Sequence, residues 1–364
     1  MKIGIVGLPN VGKSTLFNAL LRRQQALVAN YPFATIEPNV GVVPLKDPRL
    51  EKLAEIEKQE NKMSSLPPIV YANVSFVDIA GLVKGASEGA GLGNKFLSHI
   101  REVEIIAHVV RDFEDRNIIR EGSVDAKSDY EAIRIELILA DLQTLEKVNE
   151  KSLRLMPAKK SAVEKLKSEL NLGKSAIDVA LTDEEKDSIK EFNLLSLKSE
   201  IVVINVSEND YTLSNIPQVI KKHAAALNLP ENKFVVICAK IESELSDLSD
   251  ADQKQYLLDL GLQSSGLERL ILIAYQTLGL ESFLTAGEKE VRAWTIKKGI
   301  SAQMAAGEIH TDFIKKFIKA EVVSFDDFVA NNGWKGSREV GKARIEGRDY
   351  IVKDGEVVEF KIGS

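Results

Sequence analysis

The chain has 364 residues, enough for two or three domains that each bury a core, so a single small module is excluded. Apolar residues make up 44% and charged residues 28%, which excludes wholesale disorder. The one cysteine, Cys238, excludes an intramolecular disulfide and a cysteine-rich metal site. With 48 basic and 54 acidic side chains the net charge is −6, so a nucleic-acid partner has to meet a local basic patch.

The chain opens with a short apolar run, residues 3–6, that leads directly into glycine and proline. This run is too short for the apolar region of a signal peptide. No stretch approaches the ~18 uninterrupted apolar residues of a membrane span. We therefore expect a cytoplasmic protein with no membrane partner.

Residues 7–14 read Gly-Leu-Pro-Asn-Val-Gly-Lys-Ser and fit the phosphate-binding loop G-x-x-x-x-G-K-[ST], between a predicted strand and a predicted helix over 15–21. Backbone N–H groups of such a loop bind phosphate oxygens. Lys13 is expected to reach the β and γ phosphates, and Ser14 to place its hydroxyl on Mg²⁺. The predicted nucleotide-binding residues of this loop are Asn10, Val11, Gly12, Lys13, Ser14 and Thr15.

Three residues further along are predicted to complete a magnesium and γ-phosphate site. Thr35 lies in a loop where it is expected to close over Mg²⁺, although a solvated loop threonine is the alternative. Asp78 ends the strand 74–77 and offers a carboxylate to the metal, and the N–H of Gly81 faces the γ-phosphate. The glycine-rich segment 85–93 is typical of a switch that changes conformation on hydrolysis.

The sequence lacks the glutamine that orients the attacking water in Ras-like enzymes, because Leu82 follows Gly81. Hydrolysis then depends on another group or on a partner. His108, in the predicted strand 105–110, is the candidate for positioning the water, with a purely structural strand histidine as the alternative.

Residues 128–200 change to helical periodicity, with a break at Pro157. Apolar residues at helical spacing predict a hairpin of two long helices. They are Ile135, Ile138, Leu142, Leu145, Val163, Leu166 and Leu170. Thr182 and Glu185 form a capping box that opens a further helix. Residues 147–174 contain eight basic and three acidic side chains, which favours an RNA-contacting tip over a merely solvated helix pair.

Two further apolar runs, 201–204 and 234–237, complete a set of strands buried on both faces, so an α/β core with a mostly parallel sheet is predicted. The segments after them correspond to the base-reading segments of GTPases. They predict base contacts by Asn205, Val206, Glu208, Cys238, Ala239 and Lys240. Glu208 stands where GTPases have the aspartate that binds guanine, and losing that contact costs ~2 to 3 kcal/mol. We expect Asn205 to help read adenine, with a degenerate but GTP-selective box as the alternative.

The pattern of predicted helices and strands changes again at Glu281, and the last 84 or so residues, 281–364, predict an independent α+β module. A strand is expected over 292–298, a helix capped by Thr311 over 312–320, and a hairpin over 350–358 around an Asp-Gly turn. The module also has five basic residues within fourteen positions. They are Lys335, Arg338, Lys342, Arg344 and Arg348.

Together the motifs at 7–18, 30–39, 78–86 and 205–208 resemble those of the YchF/Obg-like ATPase family of translation-factor-class P-loop proteins. The resemblance covers essentially the whole chain. It implies a discontinuous G domain, 1–127 and 201–280, interrupted by a coiled-coil insertion at 128–200 and followed by a TGS module of β-grasp fold at 281–364.

The same resemblance implies an Mg²⁺-dependent ATPase that associates with ribosomal RNA and proteins through the hairpin tip and the TGS module. It also suggests K⁺ as an activating cation, held by Asn10. We expect a monomer. The alternatives are an Obg-type GTPase, and a non-catalytic module whose nucleotide only sets its shape.

Overall fold

The structure, a computed structural model, describes residues 2–28, 39–79, 92–113, 125–149, 153 and 155–363. Its strands are β1 (Lys2–Val6), β2 (Val40–Leu45), β3 (Ile69–Val70), β4 (Ala72–Asp78), β5 (Ile105–Asp112), β6 (Ser199–Val206), β7 (Phe234–Ile237), β8 (Leu280–Ala286), β9 (Val291–Lys297), β10 (Phe317–Val323), β11 (Arg344–Glu346) and β12 (Val357–Ile362). Its helices are α1 (Lys13–Val28), α2 (Pro48–Glu60), α3 (Leu92–Arg101), α4 (Ala126–Glu146), α5 (Pro157–Asn171), α6 (Asp183–Ile189), α7 (Ile216–Leu227), α8 (Ala239–Leu245), α9 (Asp250–Asp259), α10 (Gly266–Thr277), α11 (Ala302–Ile309), α12 (Asp312–Lys316), α13 (Phe325–Ala330) and α14 (Trp334–Glu339).

The chain divides into two compact units. The first contains Met1–Val43 and Ser75–Ala274, and the second contains Pro44–Val74 and Tyr275–Ser364. The helical insertion therefore belongs to the first unit. The second unit differs from the predicted module by the added segment Pro44–Val74, because α2 buries Leu50 in that unit's core.

The first unit is built on a sheet with the strand order β2-β4-β1-β5-β6-β7. All five predicted strands are present, and each neighbouring pair among them is parallel. Strands β6 and β7 are almost wholly buried, as expected where both faces of a parallel sheet are covered.

The carboxyl ends of these strands meet at one edge of the sheet, which is where open α/β folds bind ligands. The phosphate-binding loop follows β1 there, and Asp78 ends β4. Residues 205–208 and 238–240 lie at the ends of β6 and β7. Parallel pairing therefore brings together segments that are more than 190 positions apart in the chain.

Helix α4 buries two faces rather than one. Ile133 packs in the cluster that covers the sheet, whereas Ile138 packs in the cluster shared with α5. Ile135 is 54% exposed, so its predicted place in a two-helix seam is wrong. A helix held between a sheet and another helix presents a different apolar stripe from one in an isolated pair. The predicted α5 positions are buried. They are Val163, Leu166 and Leu170.

The predicted capping box opens α6. The Thr182 hydroxyl accepts a hydrogen bond from the Glu185 backbone N–H at 3.2 Å, and the Thr182 N–H donates to the Glu185 carboxylate at 2.8 Å. The same carboxylate accepts two hydrogen bonds from the Lys165 ammonium at 2.7 and 2.9 Å. The cap therefore also joins α6 to α5.

Ion pairs neutralise much of the predicted basic tip. Lys159 is only 7% exposed and its ammonium contacts the Glu191 carboxylate, while Lys165 is paired with Glu185. The sequence count over 147–174 omits both glutamates, because they lie later in the chain and reach α5 only in the folded protein. Two of the eight cations are thus offset by glutamates from outside the segment, and contact of the tip with RNA stays a prediction.

The second unit has a mixed sheet with the order β11-β10-β12-β8-β9-β3. Strands β8 and β9 form an antiparallel hairpin, and β12 lies parallel to β8 and antiparallel to β10. Helix α11 packs its alanine-rich face into the core with Phe283 and Phe317. This central placement of the last strand is the β-grasp arrangement that the resemblance implied.

Two local predictions in this unit are wrong. The helix expected over 312–320 ends at Lys316, because the β-branched and aromatic residues that follow pair with β12 as β10. The hairpin expected around the Asp354 turn is also absent from this fully described segment. Ile351 instead bridges to Ser301, and the Asp354 carboxylate accepts a hydrogen bond from the Ser282 N–H at 2.9 Å.

A buried carboxyl group lies on α2 in this unit. Glu57 is 2% exposed, and one of its oxygens accepts a hydrogen bond from the Asn61 amide at 3.0 Å. The other oxygen has no hydrogen-bond partner among the described residues. Burial raises the pKa of Glu57 to about 7, and the nearby Glu60 and Glu288 add to the shift.

This raised pKa predicts a pH-dependent stability. The folded unit binds the Glu57 proton more tightly than the unfolded chain does, so the free energy of unfolding should fall as the pH rises from about 4.5 through about 7. Glu57→Gln should remove a fall on the order of 3 kcal/mol. Urea unfolding followed by tryptophan fluorescence reports on this unit, which contains both tryptophans, Trp294 and Trp334.

The exposed Glu55→Gln change on the same helix is the control and should leave the pH dependence intact. Identical pH profiles for the wild type and Glu57→Gln would contradict the assignment.

Candidate nucleotide site

The phosphate-binding loop has the backbone conformation that its sequence requires. Asn10 and Gly12 adopt positive φ angles of 62° and 101°, and α1 begins at Lys13. A side chain at Gly12 would collide with the amide of Asn205 as well as strain the backbone. The loop therefore needs glycine at this position for two separate reasons.

Lys13 and Asp78 form the charged centre of the site. The Lys13 ammonium is largely buried and donates a hydrogen bond to the Leu8 carbonyl at 2.7 Å. Burial lowers the pKa of Lys13 to about 8 although Asp78 opposes the shift, and burial raises the pKa of Asp78 although Lys13 opposes it. Burial outweighs the attraction between them in both cases, so each charge is incompletely compensated.

The donor set suits Mg²⁺ together with a bound phosphate. Ser14 is exposed at the start of α1 and lines the cavity, and Asp78 supplies a carboxylate at the same edge of the sheet. Mg²⁺ commonly uses one or two protein ligands with substrate phosphates and water. No cluster of three or more acidic, histidine or cysteine residues suited to a metal occurs in the described residues. Thr35 and Gly81 lie outside the described residues, as do Leu82 and most of the segment 85–93.

A cavity of about 780 Å³ opens beside the loop. The predicted residues that line it are Asn10, Gly12, Lys13, Ser14, Thr15, Asn205, Val206, Glu208, Cys238, Ala239 and Lys240. Val11 is instead buried beneath the loop. The binding of K⁺ by the neighbouring residue Asn10 stays a prediction.

Asn205 has a structural task that sequence reasoning missed. Its amide N–H donates to the Val11 carbonyl at 2.9 Å, and its amide oxygen accepts from the Ala239 N–H at 3.0 Å. The side chain is buried and bridges the phosphate-binding loop to the turn after β7. The two bonds use one N–H and one lone pair of the amide, and Asn205 also lines the cavity, so its contact with adenine stays a prediction.

The rim of the cavity contains an ion pair between Glu208 and Lys240, whose carboxylate and ammonium are 2.7 Å apart. Lys240 therefore engages the group that a GTPase would use to bind guanine. Val206 is buried in the cluster around Phe234 and adds only a short apolar surface. Burial raises the pKa of the Cys238 thiol, which keeps the sulfur protonated at neutral pH.

Phe113 also lines the cavity and was not predicted. It follows β5 directly, and the Arg111 guanidinium lies 4.4 Å from its ring centroid. An aromatic residue just beyond the carboxyl end of a central strand was the available signal. Its ring offers the cavity a flat apolar surface of the kind on which bases stack.

His108 lies in a different setting from the one predicted. It is 2% exposed, stacks on Tyr130 at a centroid distance of 4.9 Å, and is absent from the residues that line the cavity. Burial and the nearby Lys13 lower the pKa of His108 to about 3, so the ring is neutral. A buried side chain packed against α4 does not reach a water in the cavity, which argues against the predicted role.

Two family models match the chain. One, YchF-GTPase_C, described as a protein of unknown function (DUF933), matches residues 280–363. The other, MMR_HSR1, described as a 50S ribosome-binding GTPase, matches residues 2–152.

Relatives align over nearly the whole length. The Bacillus subtilis (strain 168) protein named Ribosome-binding ATPase YchF is 47% identical across 98% of this chain and 98% of its own. The Escherichia coli O157:H7 protein of the same name is 46% identical across 99% and 98%. The chain belongs to the YchF family. The solved structure of the Schizosaccharomyces pombe YchF GTPase matches with a TM-score of 0.84 and 33% identity, covering 99% of this chain and 97% of that one.

Family membership confirms the resemblance and the fold class: a P-loop G domain with a helical insertion and a carboxyl-terminal domain. The names of the relatives divide between ATPase and GTPase, so the choice of base has to be argued from the cavity itself. Within the described part of the chain, every helix is too short or too polar to cross a bilayer.

The Asn205 bridge predicts a loss of affinity in Asn205→Ala. Two hydrogen bonds of about 1 kcal/mol each are removed and two buried partners are left unsatisfied, so nucleotide affinity should fall about ten- to a hundredfold. Titration calorimetry measures the change. Asn209→Ala, at an exposed position three residues after the end of β6, is the matched control. Equal affinities for the two variants would show that the bridge does not order the loop.

Proposed function

We propose that this protein is an Mg²⁺-dependent ATPase that works as a slow molecular switch and associates with ribosomes. The observation that carries the proposal is the convergence of the phosphate-binding loop, Lys13, Asp78 and a base cavity at one edge of the parallel sheet. A nucleoside triphosphate supplies the negative charge and the metal ligands that this edge lacks.

The phosphate chemistry follows from the residues present. Lys13 is positioned to neutralise β and γ phosphate oxygens, and its burial strengthens that attraction because little water screens it. Ser14 and Asp78 would hold Mg²⁺ with the phosphates, and Thr35 would join them in the triphosphate state. The metal, when bound, neutralises charge that develops on the phosphate oxygens. The Gly81 N–H is proposed to bind the γ-phosphate.

Hydrolysis without a partner should be slow. Leu82 cannot orient a water, and buried His108 does not substitute for a polar group in the cavity. Binding and positioning of the phosphates remain, so we infer a modest intrinsic rate that a ribosomal component or another partner raises.

The base end of the cavity supports a preference for ATP. Glu208 is one methylene longer than the guanine-binding aspartate of GTPases and is engaged by Lys240. Guanine would have to break this ion pair to reach the carboxylate, whereas adenine makes no such demand. Phe113 offers an apolar surface that is indifferent to the base.

Association with ribosomes is proposed from the names of the relatives, Ribosome-binding ATPase YchF. The ion pairs of Lys159 and Lys165 weaken the charge argument for the hairpin tip. An Obg-type GTPase and a non-catalytic switch remain the competing functions, and two experiments separate them.

The first experiment compares ATP with GTP. We expect dissociation constants at least about tenfold lower for ATP, and Glu208→Asp should shift the preference toward GTP by about 1 to 3 kcal/mol because the shorter carboxylate regains guanine geometry. Glu244→Asp, which changes another acid lining the cavity, is the control. Equal or GTP-favouring constants for the wild type, measured by calorimetry, would support the GTPase instead.

The second experiment measures multiple-turnover phosphate release from ATP. We expect a rate of ~10⁻⁴ to 10⁻² s⁻¹ that requires Mg²⁺, the range of intrinsic Ras-like turnover or modestly above it. Lys13→Ala should abolish phosphate release, so any release that remains in this variant measures a contaminating hydrolase. A wild-type rate equal to that of Lys13→Ala would favour the non-catalytic switch.

A further inference from the structure

The second unit contains a group of lysines that its carboxylates do not neutralise. Lys315, Lys316 and Lys319 lie where α12 ends and β10 begins, and all three are exposed. None of them has an ion-pair partner among the described residues of this unit, 44–74 and 275–363. We call these three residues the α12–β10 lysine cluster.

Other cations of the unit behave differently. Arg338 makes two hydrogen bonds of 2.8 Å with Glu321, and Arg344 lies 2.9 Å from Glu356. Lys342 pairs with an aspartate of α13 in the same way. Three of the five basic residues that the sequence singled out are therefore ion-paired. Lys335 and Arg348 are exposed and lie outside the group at α12 and β10.

The strand register adds a second argument. Lys319 lies directly opposite Lys361 on β12. Like charges in this position destabilise a sheet, and Lys361 is offset by an ion pair with Glu359. Lys319 forms no ion pair and is attracted to Glu321 only at longer range. An arrangement that costs stability and gains no internal contact is what an external anion would use.

The backbone beneath the cluster is well held. The Gly363 N–H donates to the Lys316 carbonyl at 2.8 Å, and the Gln303 amide donates to the Ile314 carbonyl at 2.8 Å. The backbone that carries these lysines is therefore held in place beside the end of β12. Phosphates along a nucleic-acid backbone attract exposed cations such as these three, which lie within five positions of the chain, without any requirement for base sequence.

We propose that the α12–β10 lysine cluster contacts backbone phosphates of ribosomal RNA. The inference rests on the proposed association with ribosomes and assigns it to a defined surface of the second unit. An acidic protein surface is the competing partner, and the experiment distinguishes it.

The experiment measures co-sedimentation of the full chain with ribosomes across about 50 to 200 mM salt. The variant is K315Q/K316Q/K319Q. The control variant loses the same charge by changing three exposed lysines at the other end of the sheet. Two of them lie at the end of β9 and one lies just before β12, and none is ion-paired among the described residues of this unit. It is K297Q/K298Q/K353Q. The charge-preserving variant is K315R/K316R/K319R.

We expect the cluster variant to lower the slope of log affinity against log salt by about two to three, because each lost phosphate contact removes roughly one unit. Its affinity at the low-salt end should fall at least about tenfold, while the control and the arginine variant stay within about twofold of the wild type. ATP affinity should be the same in all four proteins. A cluster variant that keeps the wild-type slope, or a control that loses as much affinity, overturns the inference.

Two more outcomes separate the possibilities. If the wild type does not sediment with ribosomes at low salt, the proposed association itself fails. If the cluster variant loses ribosome binding but the wild type shows no salt-dependent affinity for a short RNA duplex in fluorescence anisotropy, the partner is an acidic protein and the RNA assignment is overturned.

Discussion

The two hydrogen bonds of the Asn205 side chain hold the nucleotide site in one shape. Asn205 lies on β6, and its amide bonds to the Val11 carbonyl and the Ala239 N–H. The loop after β1 and the turn after β7 are therefore both attached to β6. Because the amide is buried, its bonds do not compete with water. The Asn205 amide occupies the space that a side chain at position 12 would need, so the loop requires glycine there and the asparagine requires that glycine.

The charges at the site are arranged for a ligand rather than for the empty protein. Burial shifts the pKa of Lys13 down and that of Asp78 up, in spite of their mutual attraction. Each group is thus less stable in its charged form than it would be in water. Phosphate oxygens next to Lys13 and a divalent cation next to Asp78 would reverse both shifts, which makes the triphosphate and its metal part of the site's electrostatic balance.

Charge along the chain and charge in space differ in this protein. The excess of cations over 147–174 is real in the sequence, yet Lys159 and Lys165 are paired with glutamates that follow them by 20 positions or more. In the second unit the same process neutralises Arg338 and leaves the lysines at the start of β10 free. Ion pairs between distant segments are therefore what decides which basic residues remain available to a partner.

The sequence by itself determined the parallel strands, the phosphate-binding loop, the capping box at Thr182 and the family, because each depends on local spacing or on a short apolar run. Only the tertiary structure decided that Asn205 bridges the phosphate-binding loop and the turn after β7, and that His108 is buried against Tyr130. It also decided that Ile135 is exposed and that residues 44–74 belong to the second unit. Those outcomes depend on which distant side chains meet. Hydrogen bonds, ion pairs and burial form between segments whose separation in the chain carries no local signal.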